Sequence, residues 1–412
     1  MKTFCIHGVL LLLLVSLTIP LSAQNPVSLS GLIYDAANDQ PLPYVNITLP
    51  GQSIGTVSNS DGYFLFRCPA EFLDDTLMIS HIGYRSDSRP ARHFQNGPHI
   101  IELQPEPVAL PEVVVSPVTG LDIVKAALER IPENYPPEPY LMTGFYRELI
   151  REKQDLHKYA EGVIRIYREP EEKDRIKLIK GRKRENLPAF AVHKKADPTL
   201  GGPMHCFYRD ISHYHREFFS SKFFRYYDYT IEGITRVNGK AAYIIAFDKK
   251  PSAKKGWYRG QLYIERDSKA IIKAEYEYNE FGLKKSQPDA VQRSLAKLIV
   301  GITFESGGSQ AEVLYTEIDG RWYLKNVRYS IVDKLTRKDT IYLYTTEKEL
   351  LISGISTRNV HDFAEEELLD PAREFADQLG EYDEEFWQEF NIISATDSQK
   401  ALIDEMGTAP PE

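Results

Sequence analysis

The sequence is poor in cysteine, tryptophan and methionine, with 3 Cys, 3 Trp and 5 Met among 412 residues. Cysteine this sparse excludes a small scaffold stapled by disulfides. Beyond the N-terminal segment no second long apolar run occurs, so no helical membrane span is expected in the mature chain. Basic residues do not dominate either, since the net charge is −9. A nucleic-acid surface needs a dominant basic patch, so no nucleic-acid partner is expected. Also missing are a G-x-S-x-G elbow, a phosphate-cradling glycine loop and a Ser or Cys in a recognised catalytic frame. No catalytic residue is therefore assigned, no cofactor is implied, and the chain reads as non-enzymatic. A peptide or glycan hydrolase stays open as the alternative, because paired carboxylates come from distant positions and leave no motif.

The first residues carry a different signal. Lys2, the apolar run Val9 to Leu17 and the small-residue site Leu21-Ser22-Ala23 form a secretory leader over residues 1–23. Gln24, not cysteine, would begin the mature chain, which argues against an N-terminal lipoprotein. The expected location is outside the cytoplasm, in the periplasm or at the outer membrane. Two cysteines remain, Cys68 and Cys206. Export permits a disulfide, but Cys68 continues the alternation of Phe64 and Phe66, as a buried core thiol would.

The stretch "GTVSNSDGYFLF", Gly55 to Phe66, joins a polar turn to an aromatic strand. Asp61-Gly62 supplies the turn, and Phe64 and Phe66 share one face. Short runs divided by Gly, Pro, Asn and Asp continue to "HIIELQ", the spacing of a β-sandwich. "QPLPYVNITLPG", "GTVSNSDGYFLF" and "LMISHIGY" together resemble the carboxypeptidase-like regulatory domain. That resemblance implies a transthyretin-like, seven-strand-type sandwich over residues 24–104. It implies no peptidase activity, since the module is a non-catalytic appendage. His99 and Glu102 formally match the HxxE of zinc carboxypeptidases, but on a strand they face opposite sides and cannot converge on one metal.

A proline-rich connector follows over residues 105–120. Residues 121–360 then read as an α+β domain. Leu121, Val124, Leu128 and Ile131 mark a helix with one apolar face, ended by Pro132. Hairpins follow, turning at Asn238-Gly239 and Asp319-Gly320. Ile272, Ala274, Tyr276 and Tyr278 share one strand face, opposite Lys273, Glu275 and Glu277. Consecutive hairpins with one apolar face predict a large curved antiparallel sheet. The helix and the segment near residues 205–228 are the candidates to cover that face. The hairpin order, with "GFYRE" and "YRGQLYIERDSKAIIKAEYEY", is similar to the half-barrel of periplasmic lipoprotein carriers. The chain is thus mainly β, and its expected role is binding or assembly in the cell envelope.

Ten of the 23 residues from Phe207 to Tyr229 are aromatic. Tyr208, Tyr214, Phe218, Phe219, Phe223 and Phe224 are candidate ligand-binding residues for an apolar or lipid-like molecule. Core filling explains the same rings and is the more common use of such clusters. His213, His215 and Cys206 are candidate metal ligands, although their spacing matches no established zinc pattern. A structural adaptor for an outer-membrane partner is a third reading.

Charge is unevenly placed. Between His361 and Asn391 stand 12 Asp and Glu against Arg373 alone, so the remainder of the chain is near +2. "KDRIKLIKGRKR", Lys173 to Arg184, carries seven basic residues and one acid. It is expected to be a charged edge strand, a dock for the acidic tail, or a site for anionic headgroups. Residues 361–412 read as an acidic helical tail that packs Phe386, Trp387 and Phe390 onto the body.

Overall fold

The computed structural model describes residues 26–106, 118–153, 155–185, 201–237, 239–299, 301–379 and 390–408. The leader, most of the connector, and Phe386 and Trp387 of the tail lie outside the described residues.

The N-terminal strands are β1 (Val27–Asp35), β2 (Asn46–Thr48), β3 (Gly55–Val57), β4 (Tyr63–Cys68), β5 (Thr76–Ser80), β6 (Asp87–Pro90) and β7 (His99–Leu103). They form two sheets, β4-β1-β7 and β3-β2-β5-β6. The expected seven-strand sandwich is present. Its turn is set by Asn59, whose Oδ1 accepts from the backbone N–H groups of Asp61 and Tyr63, each at 3.0 Å. Gly62 sits at φ +76°, and a Cβ there would lie 2.4 Å from the Ile33 carbonyl oxygen. Both the backbone and the space therefore require glycine. Phe64, Phe66 and Cys68 point into the core with Leu29, Ile33 and Phe94. Cys68 and Cys206 are both buried and free.

The second unit is one antiparallel sheet of ten strands. These are β8 (Tyr140–Glu152), β9 (Asp155–Arg168), β10 (Arg175–Glu185), β11 (Tyr227–Val237), β12 (Lys240–Lys249), β13 (Tyr258–Glu265), β14 (Ile271–Tyr278), β15 (Thr303–Ile318), β16 (Arg321–Arg337) and β17 (Thr340–Ser356). Their spatial order is β10-β9-β8-β17-β16-β15-β14-β13-β12-β11. Gly239 (φ +80°) and the pair Asp319 (φ 50°) and Gly320 (φ 77°) take the left-handed backbone that a two-residue hairpin turn demands. Register shifts interrupt several ladders, including β8–β9, β11–β12 and β15–β16. Such bulges bend a sheet.

This order has a consequence. β10 and β11 are successive in the chain but occupy opposite edges of the sheet. The connection must cross one face, and a crossing segment survives there only by burying apolar side chains. The described part of it, residues 201–226, holds two short helices, α3 (Met204–Phe207) and α4 (Ile211–Tyr214). Cys206, Phe207, Phe218, Phe219 and Phe224 join the inner-face core with Met142, Tyr146 and Ile164.

The leading helix, α1 (Gly120–Glu129), packs on the same inner face. A capping box between Thr119 and Asp122 starts it. It ends at Glu129, earlier than the proline predicts, and Pro132 lies instead in the first turn of α2 (Ile131–Asn134). Ile123, Val124 and Ala127 are fully buried, while Leu121, Leu128 and Ile131 are half-buried beside them. The buried stripe is therefore rotated from the expected one. Gly120 permits the approach, since a Cβ there would meet the Tyr229 carbonyl oxygen at 2.6 Å.

The outer face is covered too. Val57 of the sandwich, Phe145, Val163, Leu351 and Ile393 form one cluster, with Phe390 packed against it. Arg147 is buried there. Its guanidinium donates to Glu161 Oε2 at 2.8 and 2.9 Å and to the Ile393 carbonyl at 2.6 Å. Tyr44 of the sandwich donates to Glu349 at 2.9 Å. Helix α7 (Asp397–Thr408) adds Ile403 against Leu149 and Leu156. With both faces packed, β8 and β9 are buried along nearly their whole length.

Candidate functional site

The acidic tail binds the basic strand. Arg175 pairs with Asp362 at 2.7 Å and Glu365 at 3.1 Å, Lys177 with Glu367, and Lys183 with Asp377 at 3.8 Å. The Leu369 N–H donates to the Ile176 carbonyl at 2.8 Å. Residues 362–379 thus lie as a strap along the β10 edge, which removes that edge from unwanted pairing. The surface ion pairs supply little stability, about 0–1 kcal/mol each. The strap's anchor is Phe375, fully buried, with its ring centroid 4.9 Å from that of Tyr146. Two glycines on adjacent strands make room for the strap. A Cβ at Gly162 would lie 3.1 Å from Phe375, and one at Gly181 would lie 2.5 Å from Leu379.

Between the strap, the start of β10 and the crossing segment lies a cavity of about 810 Å³. Ile176, Met204, Leu368, Leu369 and Phe375 give it an apolar wall, while Glu169, Glu172, Lys173 and Arg175 stand on its polar side. Its size is that of a small-molecule site. Tyr208 lines it; Tyr214 does not.

A second cavity of about 370 Å³ is lined by Leu128, Ile131, Tyr135, Tyr140, His213 and His215, among others. A buried polar cluster at the β9–β10 turn adjoins both cavities. Arg168 holds Asp174 through two bonds, Nε to Oδ1 at 2.7 Å and Nη2 to Oδ2 at 2.9 Å. Its Nη1 reaches Asp210 Oδ2 at 2.5 Å. Asp210 Oδ1 accepts from Tyr315 and from Ser212 Oγ, each at 2.7 Å. Tyr214 Oη donates to Asp174 Oδ2 at 3.0 Å. Burial pushes the Asp210 carboxyl up, but Arg168 and the hydroxyl donors outweigh it, and the group is held below the ordinary range. Every acceptor is satisfied. The cluster pins the crossing segment to the turn.

The sequence-predicted residues are dispersed. Phe218 stacks on Phe247 with centroids 4.3 Å apart, and Phe219 and Phe224 are buried. Phe223 is half-buried on the same core. These rings fill the inner face. Cys206 is fully buried, and burial pushes its thiol up to about 12. His213 Nε2 lies 2.7 Å from the Glu172 carbonyl oxygen, and His215 is exposed. Among the described residues, no group of three His, Cys, Asp or Glu is arranged to hold a metal ion. Sequence reading missed Arg168, Asp174, Asp210 and Phe375. The one available signal was charged residues interrupting apolar runs, as in Arg168 after "VIRIY".

Among the described residues no helix is long and apolar enough to cross a membrane. No curated protein matches the chain. Solved structures similar to it include a LolA superfamily protein from Nitrosomonas europaea, at 11% identity and TM-score 0.25, covering 61% of this chain and 98% of that one. Another is a putative outer membrane lipoprotein-sorting protein domain from Vibrio parahaemolyticus, at 11% identity and TM-score 0.28, covering 58% and 93%. Lipovitellin is similar at 10% identity and TM-score 0.25, covering 56% and 27%. At TM-scores this low the likeness assigns neither ligand nor role. Residues 29–115, which include the N-terminal sandwich, match the model of the CarboxypepD_reg-like domain.

Proposed function

We propose that this is an exported, non-enzymatic protein of the cell envelope that binds a molecule bearing an apolar chain. The carrying observation is the cavity of about 810 Å³, with its apolar wall of Ile176, Met204, Leu368, Leu369 and Phe375. The apolar chain lies against that wall, where each buried methylene contributes about 0.8 kcal/mol. The polar end lies toward Lys173, an exposed cation without an ion pair among the described residues. The crossing segment fills the middle of the inner face, so the ligand takes the margin under the strap. The sandwich serves as a rigid support, because Tyr44 and Val57 fix it to the outer face.

Mass spectrometry of organic extracts from the purified full chain tests this reading. A recurring apolar-chained molecule in the wild-type extract, absent from a Leu369→Trp variant that folds normally, is the expected result. Identical extracts from the two proteins contradict it.

A further inference from the structure

Two further helices join β14 to β15: α5 (Glu280–Ser286) and α6 (Ala290–Ile299). None of the ten residues of α6 is buried. Its apolar residues are conspicuous by exposure: Val291 at 66%, Leu295 at 48%, Leu298 at 82% and Ile299 at 76%. At 100° per residue these four fall on one arc, with Arg293 and Lys297 on the other side. A helix of a globular domain turns such an arc to the core. This one turns it to solvent, and a helix this short gains little from its own hydrogen bonds. The arc needs a partner.

We propose that α6 docks on an anionic lipid bilayer. The charge around it selects that partner. Lys284 and Lys285 close the last turn of α5, and Arg293 and Lys297 lie on α6 itself. β15 begins at Thr303, paired with Thr336 at the tip of the β16–β17 hairpin. Arg337 and Lys338 stand at that tip, so they share the same end of the sheet as the C-terminus of α6. None of these six cations forms an ion pair among the described residues. Glu280, Asp289, Glu305 and Asp339 are the acids of the same region; Glu305 is paired with Lys334 at 3.1 Å, and the other three leave the six cations in excess. Ile341 at 54% and Leu343 at 46% exposure add apolar surface at the hairpin end. An exposed apolar arc flanked by lysine and arginine has the chemistry of an interfacial helix: the apolar side enters the acyl boundary and the cations meet lipid phosphates. A second copy of this chain would bring the same cluster of cations against itself, and like charge opposes pairing α6 with α6.

Co-sedimentation of the full chain with vesicles tests the proposal. Vesicles of phosphatidylcholine alone are compared with vesicles also containing phosphatidylglycerol. Binding is expected to the anionic vesicles, weakening as salt rises. A Leu298→Glu/Ile299→Glu variant is expected to bind about tenfold more weakly or less, since both the apolar contact and the charge balance are lost. These side chains touch little of the body, so the variant should melt as the wild type does. Lys284→Glu/Lys285→Glu should remove most of the salt-sensitive part. Equal binding by wild type and the Leu298/Ile299 variant, or no binding to anionic vesicles, overturns the proposal. Self-association that the same variant abolishes, without vesicle binding, overturns it in favour of a second copy.

Discussion

Lys158 Nζ lies 3.0 Å from Glu374 Oε2, joining β9, the strand next to the sheet edge, to the strap one residue before its aromatic anchor. Lys158 is fully buried, and Glu148 Oε1 also stands 3.4 Å from its ammonium. A buried cation is tolerated only while paired, so the strap's position and the lysine's charge are coupled. Glu374→Gln keeps the shape and removes one charge. The expected loss is about 1–3 kcal/mol of unfolding free energy, read from a lowered denaturant midpoint, with faster proteolysis of residues 362–379. Glu148 limits the loss.

Phe375→Ala should cost more, about 3–5 kcal/mol, because it empties a closed site against Tyr146. The strap then depends more on its surface ion pairs, which salt screens, beside the buried Lys158–Glu374 pair. The variant should therefore lose the strap as sodium chloride is raised, whereas the wild type keeps it. Hydrogen exchange of the Leu369 amide, bonded to Ile176, reads this directly.

Asp210 predicts an acid limit. Its carboxyl is held below the ordinary value in the folded chain. The stability it contributes is present above the unfolded carboxylate range, about pH 4, and is lost as pH falls through the lower folded value. Asp210→Asn should destabilise at neutral pH by about 3–5 kcal/mol, since Arg168 loses a buried partner. Its stability should then depend less on pH below 4. A variant with an unchanged acid slope would show that other carboxylates set the limit.

Lys325 gives the opposite slope. It is buried beneath β3 of the sandwich, and burial lowers its ammonium to about 7. Between that value and the ordinary lysine range the unfolded chain binds more protons than the folded one, so stability rises with pH there. Lys325→Met should raise stability most at pH 6 and abolish the rise. Asp333 is pushed up to about 7 by burial, so stability falls between the ordinary carboxylate range and 7. Asp333→Asn should flatten that fall. Urea midpoints from pH 5 to 9 separate the two.

The sandwich was legible in the sequence because its determinants are local. Asp61-Gly62 and the alternation of Phe64, Phe66 and Cys68 lie within eight residues, although the part played by Asn59 showed only in the structure. The hairpins of the large sheet were legible for the same reason, through the turns at Asn238-Gly239 and Asp319-Gly320. Strand order was not, because the pairing of β8 with β17 joins Tyr146 to Leu350 across most of the domain. No local pattern encodes that closure. The aromatic segment was visible, but its role as a crossing between opposite edges depends on that order. Tail docking was one of three readings of the basic stretch, drawn from charge alone. Phe375, the residue that holds it, looks like any other phenylalanine in an acidic stretch.

The most direct test is a titration of the delipidated full chain with a fluorescent fatty-acyl probe, run beside Leu369→Trp, which fills the cavity under the strap. The account predicts saturable uptake by the wild type and loss of it in the variant at unchanged melting temperature. Equal uptake by both, or none by the wild type, would contradict it.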